Sequence, residues 1–169
     1  MNKEQIKKAL RFYFITDDSA PDLSPLKQAE IAIQAGATLI QYRNKSISAA
    51  DIKEAQSIRD LCKCNRVPFV VNDNILLAKA VSADGVHLGQ EDERPQTARS
   101  ILGDTAIIGI SVSDLEELER TDLTGCDYIG TGPVFSTHTK PDAKQAIGPR
   151  GLEKVVLVMK DGKMIKDLL

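Results

Sequence analysis

The sequence predicts an α/β fold: a TIM-barrel-like (β/α) arrangement, incomplete at about six parallel strands and followed by a C-terminal hairpin. Three observations predict it. Short apolar runs alternate with longer amphipathic ones, the pattern of strands joined by crossover helices. The runs begin at residues 12, 38, 67, 85, 106 and 128, so intervals of 18 to 29 residues each hold one helix and two short loops. The runs are apolar on both faces, as strands covered on two sides must be.

The strands are expected at Phe12–Thr16, Thr38–Tyr42, Val67–Val71, Gly85–Leu88, Ala106–Ile110 and Tyr128–Thr131. Pro25 opens a helix with Leu26, Ala29 and Ile33 on one face, and Gly36 stands where a C-terminal cap belongs. Ser48 precedes a helix whose Ile52, Ala55, Ile58 and Cys62 share a stripe. A further helix starts from Asn74, and Pro95 begins the one bearing Ala98, Ile101 and Leu102. Ser113-Asp-Leu-Glu116 reads as a capping box, two side chains satisfying two orphan amides. After Gly151 the pattern changes. Val155–Met159, the turn signal Asp161-Gly162 and then Met164-Ile165 read as a hairpin. The domain expectation is therefore a β/α barrel domain over residues 1–152 and an atypical hairpin or tail over 153–169. A closed barrel of this type takes roughly 200 residues or more, and this chain has 169.

Hydrophobic residues make up 42% and charged residues 27%, the balance of a globular domain with a real core. Net charge is −2 with no block of one sign, which argues against broad binding to nucleic acid or an anionic membrane. The N-terminus lacks an apolar segment of signal-peptide length, and no run is long enough to span a bilayer. Cys62, Cys64 and Cys126 form neither a zinc pattern nor an even disulfide framework. They are read as free thiols in a cytoplasmic protein.

The richest segment for function is Asp127 to Lys140. Its apolar start leads through Gly130 and Gly132 into Ser136, Thr137, His138, Thr139 and Lys140. Glycines let backbone amides approach a ligand, while hydroxyls and a lysine suit a phosphate. In such folds, functional side chains cluster at the C-terminal ends of strands. After the second strand, alternation puts Gln41, Arg43 and Lys45 on one side, a clamp for phosphate or diphosphate. After the third come Asn72 and Asp73, after the fourth Asp92, and after the fifth Ser111. Taken alone, Asn72 or Asp73 reads better as an N-cap, and Asp92 could also cap the helix near Pro95. His87, inside a strand, reads as a core or supporting residue; His138 reads equally as a ligand contact or an exposed loop residue. Mg²⁺ is typically held by one or two carboxylates plus substrate phosphates, so Asp73 and Asp92 are the candidate metal ligands beside the Arg43/Lys45 clamp. No nucleophile elbow, P-loop or dinucleotide fingerprint is present. The chemistry this set suits is departure of pyrophosphate from an electrophilic carbon.

Gln41-x-Arg43-x-Lys45, Val71-Asn72-Asp73, Asp84–Asp92, Ile108–Ser111 and Asp127–Lys140 together resemble the thiamine phosphate synthase (thiamine-phosphate pyrophosphorylase) family, over about residues 10 to 152. The resemblance implies a Mg²⁺-dependent barrel transferase that joins hydroxymethylpyrimidine diphosphate to thiazole phosphate. It implies that Gln41, Arg43, Lys45 and Asn72 bind the pyrimidine and its diphosphate, and that Asp73 and Asp92 ligate the metal. It implies further that Ser111 and Lys140 act where the carbon–oxygen bond breaks, and that Thr137 and Thr139 hold the thiazole phosphate. The reaction order it implies is departure of pyrophosphate first, then capture of the resulting methylene cation by the thiazole nitrogen. Family members continue past the region of Gly148 into two more strands and a final phosphate loop, which are not found here. Residues 155–169 are instead weakly similar to the closing strand-turn-strand of metal-dependent amidohydrolases. The expectation is a C-terminally truncated or altered member whose open sheet edges favour a homo-oligomer. Two alternatives stand beside it. One is a non-catalytic relic or pyrimidine-diphosphate-binding protein. The other is a thiazole tautomerase-like isomerase, which generally lacks the Gly-Gln-Glu-Asp run and carries histidine near position 113.

Overall fold

The computed structural model describes residues 1–20, 22–44, 49–136 and 144–161, without the side chains of 49–51 and 156–161. In chain order the elements are α1 (Lys3–Ala9), β1 (Tyr13–Ile15), α2 (Pro25–Gln34), β2 (Leu39–Tyr42), α3 (Ala49–Asn65), β3 (Phe69–Asn72), α4 (Ile75–Ala80), β4 (Gly85–Leu88), α5 (Pro95–Leu102), β5 (Ile107–Val112), α6 (Leu115–Arg120), β6 (Tyr128–Thr131) and α7 (Gly148–Asp161). The strands form one sheet in the order β1-β2-β3-β4-β5-β6, every neighbouring pair parallel. All six lie within two residues of their expected positions. Because each crossover steps to the next strand, the sheet curls one way into a half-barrel, the architecture the alternating runs predict.

The period of two along each strand sorts side chains between two faces. Ile40, Tyr42, Phe69, Val71, Val86, Leu88, Ile108 and Ile110 face outward and are buried against the helices. Alanines at the helix contacts (Ala29, Ala55, Ala78 and Ala98, all fully buried) let the helices lie close to the sheet. Each fully buried large apolar side chain contributes roughly 1.5–3 kcal/mol. On the concave face, Leu39, Val70, Ile107 and Tyr128 form a smaller cluster with Ile6 and Ala9 of α1. The helix α1 is absent from the sequence reading. Only Ile6 and Ala9 of its seven residues are buried, too few to show a periodicity, yet Asn2 and Gln5 close a capping box at its start.

Side chains just before β2, β4 and β6 tie each of these strands to its predecessor. Asp84 Oδ2 accepts from the Phe69 amide at 2.8 Å, and Asp127 Oδ2 accepts from the Ile108 amide at 2.8 Å. Thr38 Oγ1 does the same for Phe12. Arg99 Nη2 donates to Asp127 Oδ2 at 2.7 Å, while its other bonds go to carbonyls of the loops around it. Asp84 and Asp127, which open two of the motifs read in the sequence, are thus structural.

Several local expectations are corrected. The expected first strand of the hairpin, Val155–Met159, lies inside α7; residues 162–169 are outside the described set. Gly148 at φ +66 and then Pro149 admit the turn into that helix. Leu152 is half-buried, Glu153 and Lys154 are exposed, and Val155 is buried, which is helical spacing. The capping box is shifted by one residue: Asp114 caps α6 by accepting from the Glu117 amide, and Glu117 Oε2 accepts from the Ser113 amide at 2.7 Å. In α2 the buried face is Gln28, Ala29 and Ala32, with Leu26 exposed, because the Gln28 amide is fixed by Asp17 and the Leu23 carbonyl. In α3 the stripe is covered from Ala55 onward, leaving Ile52 exposed. Cys62 is buried, Cys64 exposed and Cys126 half-buried, all as free thiols. Among the described residues, no helix is long and apolar enough to cross a membrane.

Gly109 in β5 pairs with His87 on one side and Tyr128 on the other. A Cβ at this position would fall 2.5 Å from Tyr128 Oη, inside the ring's own space. Gly109→Ala is therefore expected to destabilise the fold by about 1–3 kcal/mol through overpacking. Urea unfolding measures this, and an unchanged midpoint would show that the ring does not need the gap.

Candidate active site

The C-terminal ends of the strands surround a cavity of about 660 Å³, a volume suited to small-molecule ligands. Gln41, Arg43, Asn72, Asp73, Asp92 and Ser111 all line it. Side chains read separately from four strand ends therefore converge. Lys45, Thr137, His138, Thr139 and Lys140 lie outside the described residues.

The local backbone explains how each is held. Gln41 sits on the concave face of β2, buried, and its Nε2 donates to Tyr13 Oη at 2.6 Å. Arg43 follows β2, its amide donating to Thr16 Oγ1 at 3.0 Å, which fixes the chain as it leaves the strand. Asn72 ends β3 and donates through Nδ2 to Asp73 Oδ2 at 2.5 Å. Asp73 has φ +60, a left-handed conformation uncommon for residues other than glycine. Such backbone gathers at functional sites, where surrounding structure enforces it. Here the Asp73 amide donates to the His87 carbonyl at 2.8 Å, while the capping role falls to Asn74. Asp92 does not cap α5 either. That helix starts after Arg94 without a side-chain cap, and Asp92 Oδ2 accepts from the Gly89 amide at 2.6 Å. Both aspartates are thereby freed from the capping roles that competed for them.

Ser111, on β5, lies 3.0 Å from His87 Nε2, and His87 Nδ1 lies 3.0 Å from Tyr128 Oη. His87 is buried and supports the site from within the strand, as expected from its position. Burial raises Tyr13 to about 12, outweighing its bonds to Tyr128 and Gln41, and raises Tyr128 well above 10. Gly130 takes a different role from the one its sequence context suggests. Its φ is not positive; it leaves room for the imidazole, since a Cβ there would sit 3.2 Å from His87 Cε1.

Five contributors escaped sequence reading. Tyr13 and Tyr128 look like ordinary core aromatics, and their contact spans 115 positions. Gln90 Nε2 donates to the Ser111 carbonyl at 2.7 Å and locks the β4–α5 loop to β5. Lys144, a cation lining the cavity, pairs with Glu117, whose side chain is 2% exposed. Burial pushes the Glu117 carboxyl up, but Lys144 and the Ser113 amide outweigh it and leave it below its ordinary value. An amphipathic α6 signals a surface carboxylate, so nothing in the sequence separates Glu117 from its exposed neighbours.

A parallel β/α sheet with carboxylates, a guanidinium and a hydroxyl at its strand ends defines a barrel enzyme for small anionic substrates. The chain belongs to the thiamine monophosphate synthase family, whose profile matches residues 12–163. That match runs through α7, beyond residue 152. The chain is 42% identical to the thiamine-phosphate synthase of Methanosarcina barkeri over 154 residues, covering 90% of this chain and 70% of that one. It is 43% identical to a probable thiamine biosynthetic bifunctional enzyme of Schizosaccharomyces pombe, of which it spans 30%. The solved thiamine phosphate pyrophosphorylase from Pyrococcus furiosus superposes with a TM-score of 0.78 at 35% identity, covering 94% of this chain and 74% of that one.

Glu117→Gln tests the Lys144 anchor. With its folded value lowered, the carboxylate adds stability above the ordinary value of 4.5, and that stability is lost as pH falls below it. The wild-type advantage over Glu117→Gln in urea unfolding should thus hold near neutrality and shrink on acidification. A gap independent of pH would remove the ion pair from the account.

Proposed function

We propose that this chain is a thiamine-phosphate synthase, a transferase that condenses hydroxymethylpyrimidine diphosphate with thiazole phosphate to give thiamine phosphate and pyrophosphate. The observation that carries the reading is the convergence of Asp73, Asp92 and Arg43 on one cavity in a chain of this family. Arg43 offers a planar, permanently charged fork for the diphosphate. Gln41 lines the cavity and is anchored through Nε2, which leaves its amide oxygen as the acceptor it would offer the pyrimidine. Asn72 holds Asp73 in place. Ser111 offers a hydroxyl where the carbon–oxygen bond breaks. Lys45 joins the diphosphate clamp, Lys140 meets the leaving group, and Thr137 and Thr139 hold the thiazole phosphate, as the family resemblance implies. Pyrophosphate departs first, and the thiazole nitrogen then closes the new carbon–nitrogen bond.

The donor set fits Mg²⁺. Among the described residues no group of three or more metal-ligating side chains occurs. Two carboxylates at the ends of adjacent strands suffice for this ion, because substrate phosphate and water complete its shell. Asp73 and Asp92 would hold it. Bound there, it would neutralise charge developing on the departing diphosphate. A homo-oligomer and a cytoplasmic location belong to the same proposal. In support, β1 and β6 each have one paired neighbour among the described residues, and the three cysteines are free thiols.

Incubation with both substrates and Mg²⁺ should yield thiamine phosphate, with Asp92→Ala lowering turnover on the order of 100-fold. Calorimetric binding of the diphosphate substrate without product under any condition would instead establish a non-catalytic binding protein.

A further inference from the structure

Five polar side chains run through the concave interior in one line. Gln41 Nε2 lies 2.6 Å from Tyr13 Oη, and Tyr13 Oη lies 2.7 Å from Tyr128 Oη. Tyr128 Oη lies 3.0 Å from His87 Nδ1, and His87 Nε2 lies 3.0 Å from Ser111 Oγ. Hydroxyls and a neutral imidazole can each donate in either direction, so distances alone leave the polarity of this line open.

Proton accounting closes it. The amide Nε2 of Gln41 donates and cannot accept. Tyr13 Oη therefore accepts a hydrogen bond from Gln41 and still has its own proton to donate. Both phenols stay protonated at neutral pH, since burial raises each of them. Among the described residues, the other partner of Tyr13 Oη is Tyr128 Oη. Were Tyr128 to donate to Tyr13, the proton of the part-buried Tyr13 hydroxyl would have no acceptor among the described residues, an arrangement that costs stability. Tyr13 donates to Tyr128, and Tyr128 donates onward to His87 Nδ1. The imidazole proton must then sit on Nε2, where it is given to Ser111 Oγ.

We propose that Gln41, Tyr13 and Tyr128 fix His87 as its Nε2–H tautomer, and that His87 is a positioning residue holding Ser111 as a hydrogen-bond donor toward bound substrate. The hydroxyl that accepts from His87 keeps its own proton for an acceptor in the cavity, such as a phosphate oxygen or a ring nitrogen. Packing keeps the line rigid. The Tyr13 ring meets Tyr128 at 67° and His87 at 82°, edge to face. Gly109 clears the path of the Tyr128 ring, and Gly130 clears that of His87. The task assigned to Ser111 rests on the function proposed above; the tautomer does not.

The test is arranged to separate the two. The chain has two histidines. Nitrogen-15 labelling of both, with His138→Gln to assign signals, allows the His87 tautomer to be read by long-range proton–nitrogen correlation without substrate. The expected spectrum shows a protonated Nε2 and a bare Nδ1; a protonated Nδ1 overturns the proposal. Tyr128→Phe deletes one oxygen and keeps the ring, and it should release His87 into a mixture of tautomers. An unchanged single tautomer in that variant would show that the line does not set it. In the thiamine phosphate assay, Tyr128→Phe should lower kcat about threefold to tenfold, the worth of one hydrogen bond. That loss should vanish in a Ser111→Ala background, because the effect passes through Ser111. An equal loss in both backgrounds overturns the positioning role. A chain without turnover that still shows the Nε2–H tautomer would fail the proposed function and leave the polarity of the line intact.

Discussion

The contact between the Tyr13 and Tyr128 hydroxyls, 2.7 Å across the concave face, joins the first strand to the sixth. Much of the molecule is arranged around it. The sheet must curl far enough for the two phenols to meet, and β5 must present glycine where the Tyr128 ring crosses it. The inner face cannot be wholly apolar, because the buried Tyr128 hydroxyl and the part-buried Tyr13 hydroxyl require partners. Gln41 and His87 supply them, and through them the contact reaches the floor of the cavity. Below it, Leu39, Val70, Ile107 and the residues of α1 restore an ordinary hydrophobic cluster.

The two ends of the sheet carry different burdens. At the N-terminal ends, Thr38, Asp84 and Asp127 satisfy amides of the preceding strands, and Arg99 binds loop carbonyls together. These polar residues are spent on holding the strands in register. At the C-terminal ends, Asp73 and Asp92 accept from side-chain or backbone donors and still border the cavity. The same residue type therefore closes the fold at one end and lines the candidate site at the other, as barrel architecture generally divides stability from chemistry.

That division explains what could be read from the sequence. Strands emerge from apolar runs, and strand-end residues such as Gln41, Arg43, Asp73 and Ser111 are legible because alternation and position determine where they point. Gln41 was legible as a site residue, but its bond to Tyr13 was not, since nothing local marks a phenol on another strand. Lys144 and Glu117 were missed for the same reason: their pairing depends on how the chain returns after β6. Local signals misled where two competed. Asp161-Gly162 argues for a hairpin, but the spacing of Leu152 and Val155 and the core contact of Val155 favour α7. Ser113 and Asp114 both suit a cap, and the geometry of Glu117 selects the second.

Strand ends scattered through the sequence line one cavity, proposed above as the site of a metal-bound diphosphate. Diffraction from crystals soaked in pyrophosphate and Mn²⁺, a stand-in for Mg²⁺ with an anomalous signal, tests it most directly. An anomalous peak is expected in contact with the carboxylates of both Asp73 and Asp92, with pyrophosphate between it and Arg43. A metal and pyrophosphate bound away from these residues, with the cavity itself clear, would contradict it.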